Sequence, residues 1–365
     1  MSLCINPSCP KPANHDHLLF CQACGSELLL AGRYRVTRLL SGKGGFGRTY
    51  DVSENGTAKV LKVLINNHPK AVELFQKEAR VLSQLNHPGI PKGEGDFIFF
   101  ARNSQMPLYC LVMQRIEGMD LEDYQRHRQN RPIDPRLALS WLSQLGKILH
   151  EVHNENFFHR DIKPSNIILK PDGQLTLIDF GAVREVTATI RAGGQNTQVY
   201  TPGYAAPEQE KGYAVPQSDF FALGRTFVFL LTGKLPTHPD MYAPLKDELV
   251  WRSHVSSNIL PELLDFIDKL MMRSANQRPA NTTVILESLA ELDQILNPPL
   301  PPPKPKKPIV GVSAPPPSKL GRRKIIQLAG LDRYRGGFNC DRTSFGKMWL
   351  WIRVYRRAHF LTLQV

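Results

Sequence analysis

No run of eighteen apolar residues occurs in the 365-residue chain, so no segment reads as a membrane-spanning helix. The first residues also lack the basic start and apolar stretch of a secretory leader, which makes the cytoplasm the expected compartment. Acids are scarce at one end. From Pro299 onward only Asp332 and Asp341 face fourteen Lys and Arg, so twelve of the thirteen net positive charges lie in the tail. Residues 1–298 are left close to neutral, and any attraction to nucleic acid or anionic lipid is to be sought beyond them. What is present suits a globular protein. A hydrophobic fraction of 42% and this length leave room for a two-lobed domain with small appendages, while many of the 29 prolines gather near position 300.

Four of the six cysteines fall within the first 24 residues. Cys4-x4-Cys9 and, eleven residues on, Cys21-x2-Cys24-Gly25 make two short pairs that can present four thiolates to one tetrahedral ion. Zinc held at about 2.3 Å by each sulfur would staple a segment with too few apolar residues to fold alone. A zinc-ribbon-like module over residues 1–31 is the leading reading; a disulfide or redox pair and loose cysteines are the alternatives. His15 and His17, between the pairs, are spare donors or plain surface residues. The module lacks a dense basic and aromatic surface, which favours protein contact or docking on the chain itself over nucleic acid.

The next segment, Leu39 to Tyr50, reads as strand, glycine turn, strand. The glycine spacing alone also fits a dinucleotide turn. A helix would then follow directly, whereas Arg48 to Val52 continues as a strand and turns at Glu54-Asn55-Gly56. Ala58 to Ile65 is apolar except for Lys59 and Lys62, which alternation places on opposite faces. Apolar residues at 72, 75, 79, 82 and 85 have helical spacing, with Glu78 between the packed rows. Leu108 to Met113 is a buried strand. Asp134-Pro135 opens a helix whose stripe of Ala138, Trp141, Leu142, Leu145, Ile148, Leu149 and Val152 delivers the chain to His159-Arg160-Asp161-Ile162-Lys163-Pro164-Ser165-Asn166, with Asp179-Phe180-Gly181 thirteen residues after Asn166.

From about residue 33 to 295 this ordered set resembles the eukaryotic-type serine/threonine protein kinases, and the N-terminal cysteines resemble those of cyanobacterial members. The resemblance implies an α+β fold of two lobes, a small β-rich one (about 32–113) and a large helical one (about 119–296), preceded by the cysteine module. It implies ATP and two magnesium ions. Gly42, Gly44, Gly45 and Gly47 would fold over the phosphates with Phe46 at the tip. Leu40, Thr49, Val60 and Met113 would surround adenine, with Thr49 where the family usually has valine, and Gln114-Arg115-Ile116 would form the hinge. Asp120 would meet the ribose or simply cap a helix. Lys62, with Lys59 as competitor, would pair the α- and β-phosphates and be gripped by Glu78.

By the same resemblance Asp161 orients the incoming hydroxyl, Lys163 neutralises the γ-phosphate, and Asn166 and Asp179 ligate magnesium. Lys163-Pro164 favours the serine/threonine branch over tyrosine kinases. Thr201 in Thr201-Pro202-Gly203-Tyr204 belongs to the loop that seats the substrate. Arg160 marks a loop ordered by phosphate, with Thr197 the first candidate and Thr187 and Thr189 behind it. Asp219 would brace the catalytic loop, and Arg278 would pair with Glu208.

Residues 297–319 are proline-rich and should form an extended linker, with a ligand for an SH3-like domain as a lesser role. After Arg322-Arg323-Lys324 the apolar run stops at Asp332, too short to span a bilayer. Residues 320–365 are expected to be unstructured, as in a truncated or frame-shifted relative of longer kinases; anionic-lipid contact through Trp349, Trp351 and the arginines is the alternative. The expected function is a serine/threonine protein kinase acting on proteins, with autophosphorylation through self-association. The rivals are a silent nucleotide-binding scaffold and, less favoured, a nucleic-acid binder.

Overall fold

Two-residue strands open the chain, because the cysteine segment is mostly turns: β1 (Ser2–Leu3) pairs with β2 (Ala13–Asn14) and gathers the four cysteines. The computed structural model describes residues 1–42, 47–186, 200–243, 248–256 and 259–297. Gly44, Gly45, Phe46, Thr187, Thr189, Thr197, the proline-rich linker beyond Asn297 and the basic tail lie outside these described residues.

The apolar alternation of the next hundred residues builds one antiparallel sheet. Its strands are β3 (Leu29–Leu30), β4 (Tyr34–Ser41), β5 (Gly47–Glu54), β6 (Thr57–Leu64), β7 (Gly93–Phe100) and β8 (Pro107–Gln114), in the order β3-β4-β5-β6-β8-β7. The hairpin between β5 and β6 turns at Asn55 and Gly56, whose φ angles of 49° and 84° are those asparagine and glycine tolerate best. Successive side chains alternate faces. Leu61 and Val63 enter a core with Tyr34, Val36, Tyr50, Val52 and Cys110, leaving Val60 and Lys62 on the other face.

Ile5 of the cysteine module is buried in that same core. Arg35 of β4 donates to the Leu18 carbonyl at 2.8 Å, and the Arg102 N–H donates to Ser26 Oγ at 3.0 Å. The module is therefore a layer on the outer face of the small-lobe sheet rather than a bead on a tether. Helix α1 (Pro69–Gln84) packs with Phe75, Ala79 and Leu82 inward, as the sequence spacing requires.

The large lobe is helical: α2 (Leu121–His127), α3 (Pro135–Asn154), α4 (Pro207–Glu210), α5 (Pro216–Thr232), α6 (Pro261–Leu270) and α7 (Thr282–Leu296). Asp134 caps α3 by accepting from the Arg136 N–H at 2.8 Å, with Pro135 in the first turn. Helix α5 is apolar nearly all round and runs through the core, with Phe220, Leu223, Phe227, Val228 and Leu231 fully buried. It carries Asp219 into that interior. A small sheet of β9 (Met119–Asp120), β10 (Ile167–Leu169) and β11 (Leu175–Leu177), with β10 central, holds the segment between the lobes beside the loop from 159 to 166.

Truncating Ile5 to Ala should cost about 2–4 kcal/mol, the usual range for a buried aliphatic side chain, although it lies outside the kinase-like motifs. Urea unfolding followed by circular dichroism measures this. A variant as stable as wild type would show the cysteine module to be separable from the sheet.

Candidate active site

Lys62 reaches from β6 toward Glu78 of α1, and both carboxylate oxygens accept from its Nζ at 2.8 Å. Asp179 Oδ1 accepts from the same Nζ at 2.8 Å. One ammonium thus ties the sheet, helix α1 and the Asp179-Phe180-Gly181 turn together. Lys59 is on the opposite face, bound to Glu54 and Glu94, and takes no part. Glu78 is 2% exposed, so its charge depends on Lys62. The two neighbouring carboxylates hold the Lys62 ammonium above its ordinary range despite burial. Burial pushes the Glu78 carboxyl up, against the pull of Lys62. Lys62 holds the Asp179 carboxyl down to about 2. Gly181 leaves little room beside them: a Cβ there would lie 3.1 Å from Lys62 Nζ and 3.3 Å from both Asp179 Oδ1 and Glu78 Oε2.

Across the cleft, Asp161 is fixed at both oxygens. Oδ1 accepts from the Thr201 hydroxyl at 2.6 Å, while Oδ2 accepts from Lys163 Nζ at 2.8 Å and Asn166 Nδ2 at 2.9 Å. Lys163 also donates to Thr201 Oγ1 at 3.0 Å. Asn166 Nδ2 donates a second time, to the Asp161 carbonyl at 2.8 Å, which leaves its amide oxygen as the atom available to a cation. Asp161, Lys163, Asn166 and Thr201 therefore form one network, with Asp179 across the cleft from it.

The loop carrying Asp161 is held from beneath. Buried Asp219 accepts the backbone N–H of His159 at 2.8 Å and of Arg160 at 2.7 Å, and pairs with His153 Nε2 at 2.8 Å. These bonds secure a strained turn. Arg160 has φ 71°, a conformation that costs a non-glycine residue about 1–3 kcal/mol, and Gln209 adds a bond to its carbonyl at 2.7 Å. Burial lowers the pKa of His159, against the pull of nearby carboxylates. Its Nδ1 accepts from the Asp161 N–H at 3.3 Å, Nε2 donates to the Ile178 carbonyl at 3.2 Å, and the ring stands edge-on to Phe180. Arg278 grips Glu208 with bonds of 2.6 and 2.9 Å, and Ser218 adds another at 2.6 Å. His153, His159, Gln209 and Ser218 were not signalled as site residues by the sequence, because their roles depend on contacts 10 to 66 positions away.

A cavity of about 330 Å³ opens between the roof strands and these residues, lined among others by Ser41, Gly47, Thr49, Lys62, Asp161 and Asp179. Gly42 follows Ser41 at the edge of the described roof. Leu40 is outside the lining and 42% exposed. The register shifts there, so that Leu39 pairs with Tyr50 and Ser41 with Thr49, and Ser41 takes the position facing the cavity. Val60 and Met113 pair across β6 and β8 farther along the roof, beyond that lining. Asp120 Oδ1 caps α2 by accepting from the Asp123 N–H at 2.8 Å.

The four cysteine sulfurs lie within 4.8 Å of one another, with Cys4 to Cys24 and Cys9 to Cys21 each 3.6 Å apart. A tetrahedron with metal–sulfur bonds of about 2.3 Å has edges of about 3.8 Å, so the donors fit zinc; a disulfide at about 2.05 Å does not describe them. The rings of His15 and His17 stack on each other and stand outside the cluster.

The model of the protein kinase domain matches residues 34–289. The chain is 35% identical over 308 residues to serine/threonine-protein kinase B of Synechocystis sp., covering 79% of this chain and 52% of that one. It is 33% identical to serine/threonine-protein kinase F of the same organism, with 79% and 63% covered, and 35% identical to serine/threonine-protein kinase PknA of Nostoc sp., with 72% and 48% covered. The chain thus spans about half to two thirds of the length of these relatives.

Because Lys62 depresses Asp179, the stability this pair contributes is complete above about pH 4 and is lost as pH falls toward 2. Lys62→Met removes the cause, so the loss of stability between pH 4 and 2 should be shallower in the variant. Urea midpoints across that range compare the two proteins. Superimposable acid limbs would mean that Lys62 does not set the Asp179 charge.

Proposed function

Since the chain belongs to the eukaryotic-type serine/threonine protein kinases, we propose that it transfers the γ-phosphoryl group of ATP to serine and threonine hydroxyls of proteins, its own included. The observation that carries this is the single Lys62 ammonium bonded to Glu78 and Asp179, facing an Asp161 carboxylate already oriented by Lys163, Asn166 and Thr201. Phosphoryl transfer is mostly positioning and charge neutralisation, and these residues supply both. Lys62 would hold the α- and β-phosphates, and Lys163 the γ-phosphate. Magnesium held by Asp179 and the Asn166 amide oxygen would neutralise the remaining charge. Asp161 would accept the hydroxyl proton, with Thr201 keeping the substrate-seating loop against it. The glycines from 42 to 47 would cover the phosphates, and Asp120 would meet the ribose only by sharing its capping role.

Arg160, Arg184 and Lys77 gather where the chain enters the segment containing Thr197. Burial and the charge of Arg184 bring Arg160 down to about 10, still cationic at neutral pH. Burial and Arg184 likewise lower Lys77, which stands on α1. We take these cations as the seat of a Thr197 phosphate, which would also pull α1 toward the active position. The cysteine module, placed at residues 1–31, would hold structural zinc. No helix among the described residues is long and apolar enough to cross a membrane. We place the protein in the cytoplasm, with its basic tail as the part that could meet anionic lipid and with trans-autophosphorylation as the occasion for self-association.

Incubation with radiolabelled ATP, magnesium and a basic protein acceptor tests the activity. Asp161→Asn and Lys62→Met should each lower transfer by roughly 100-fold or more, and Asp161→Asn, which leaves the Lys62 pairs in place, should do so with the fold intact. Undiminished transfer in Asp161→Asn would overturn the assignment. Purified reduced protein should carry one zinc per chain and lose it in Cys21→Ser; protein free of zinc after expression in its presence would remove the metal from the account.

A further inference from the structure

Outside the catalytic network, a buried carboxylate joins the roof of the cleft to the segment that connects the lobes. Asp51 is on β5, two residues from Thr49 and directly paired with Val60, so it shares the cleft-side face of the roof. It is 7% exposed. Its Oδ2 accepts from Arg38 of β4 twice, from Nε at 2.9 Å and Nη2 at 2.6 Å. Its Oδ1 is 3.1 Å from Nε of Arg115, the first residue beyond β8. Arg115 in turn leans toward Glu117, at 3.9 Å, on the same connecting segment. Arg38 thus holds Oδ2 by hydrogen bonds, while the Oδ1 contact with Arg115 is an ion pair without hydrogen-bond geometry, at a buried carboxylate that gains from both cations.

We propose that Arg38, Asp51 and Arg115 form a clasp that positions the connecting segment for nucleotide binding, with Asp51 as the positioning residue. The inference rests on the kinase assignment, in which the backbone of Gln114, Arg115 and Ile116 forms the edge that pairs with adenine. The side chain of Arg115 is drawn up to the roof, so the backbone it belongs to is fixed relative to Thr49 and Val60. Rigid placement of that edge lowers the ordering cost of binding and leaves the transfer step, about Lys62 and Asp161, untouched. Replacing Asp51 with Asn releases Arg115 and leaves Arg38 facing an uncharged group.

The test uses the full chain and reads binding apart from turnover. Asp51→Asn and Arg115→Ala should each raise the KM for ATP, and the Kd for Mg-ADP by calorimetry, about five- to tenfold, with kcat within twofold. The double variant should be no worse than either single one, since both break the same clasp, and Arg115→Lys should recover part of the loss. Single variants within twofold of wild type in KM and Kd would overturn the clasp. So would effects of the two changes that simply multiply, or a kcat that falls together with the melting temperature. Calorimetry also separates the two claims. A wild-type chain that binds Mg-ADP without turnover leaves the clasp to be judged on Kd alone, whereas one that fails to bind Mg-ADP overturns the kinase assignment and the clasp with it.

Discussion

The described fold depends on where one ammonium is put. Lys62 can be desolvated because two carboxylates meet it, and Glu78 can be buried because Lys62 reaches it; neither charge is tenable alone in that setting. The three partners come from a strand, a helix and a turn 117 positions away from the lysine, so the contact closes only when the sheet, α1 and the Asp179 turn are all in place. The geometry of this cluster and tertiary order are then the same event. A displacement of α1 that kept Glu78 buried would leave its charge uncompensated.

The large lobe meets its own problem by the opposite device. Asp219 accepts from two backbone N–H groups and pairs with an imidazole. A carboxylate used this way fixes backbone rather than side chains, and here it pins the left-handed Arg160 on which the direction of Asp161 depends. The Glu208–Arg278 pair joins α4 to the segment just before α7. The small lobe holds its site by a packed helix and an ion pair, the large lobe by buried bonds to backbone.

Much of this was legible in the sequence where chemistry and spacing coincide. Alternation put Lys62 and Lys59 on opposite faces of β6, and the structure keeps them apart. The helical rows around Glu78, the Asp134-Pro135 cap and the Asn55-Gly56 turn followed from local rules and are where those rules place them. Register was harder. The shift at Leu39 to Ser41, which turns Ser41 rather than Leu40 toward the cavity, depends on pairing with β5 and leaves no mark on β4 alone. Asp51 and Arg115 were equally silent, because an acid on a strand and an arginine after one are ordinary until the sheet brings them within 3.1 Å. Asp120 could be read as a helix cap or a ribose partner, and its bond to the Asp123 N–H shows the first role.

The cysteine module changes what the small lobe is. A five- or six-stranded sheet with one helix covers one face and leaves the other to solvent or to an added layer. Here that second face carries Tyr34, Val36, Tyr50, Val52 and Phe99, too apolar to be left open, and Ile5 and the turns around the sulfurs are part of its cover. The module in turn has little core of its own beyond Leu28 and the cysteines. Each part lacks what the other supplies. The four cysteines and the roof strands are thus tied by shared contacts: Ile5 is buried in the core of the sheet, Arg35 of β4 bonds the Leu18 carbonyl, and β4 ends at Ser41, on the cleft.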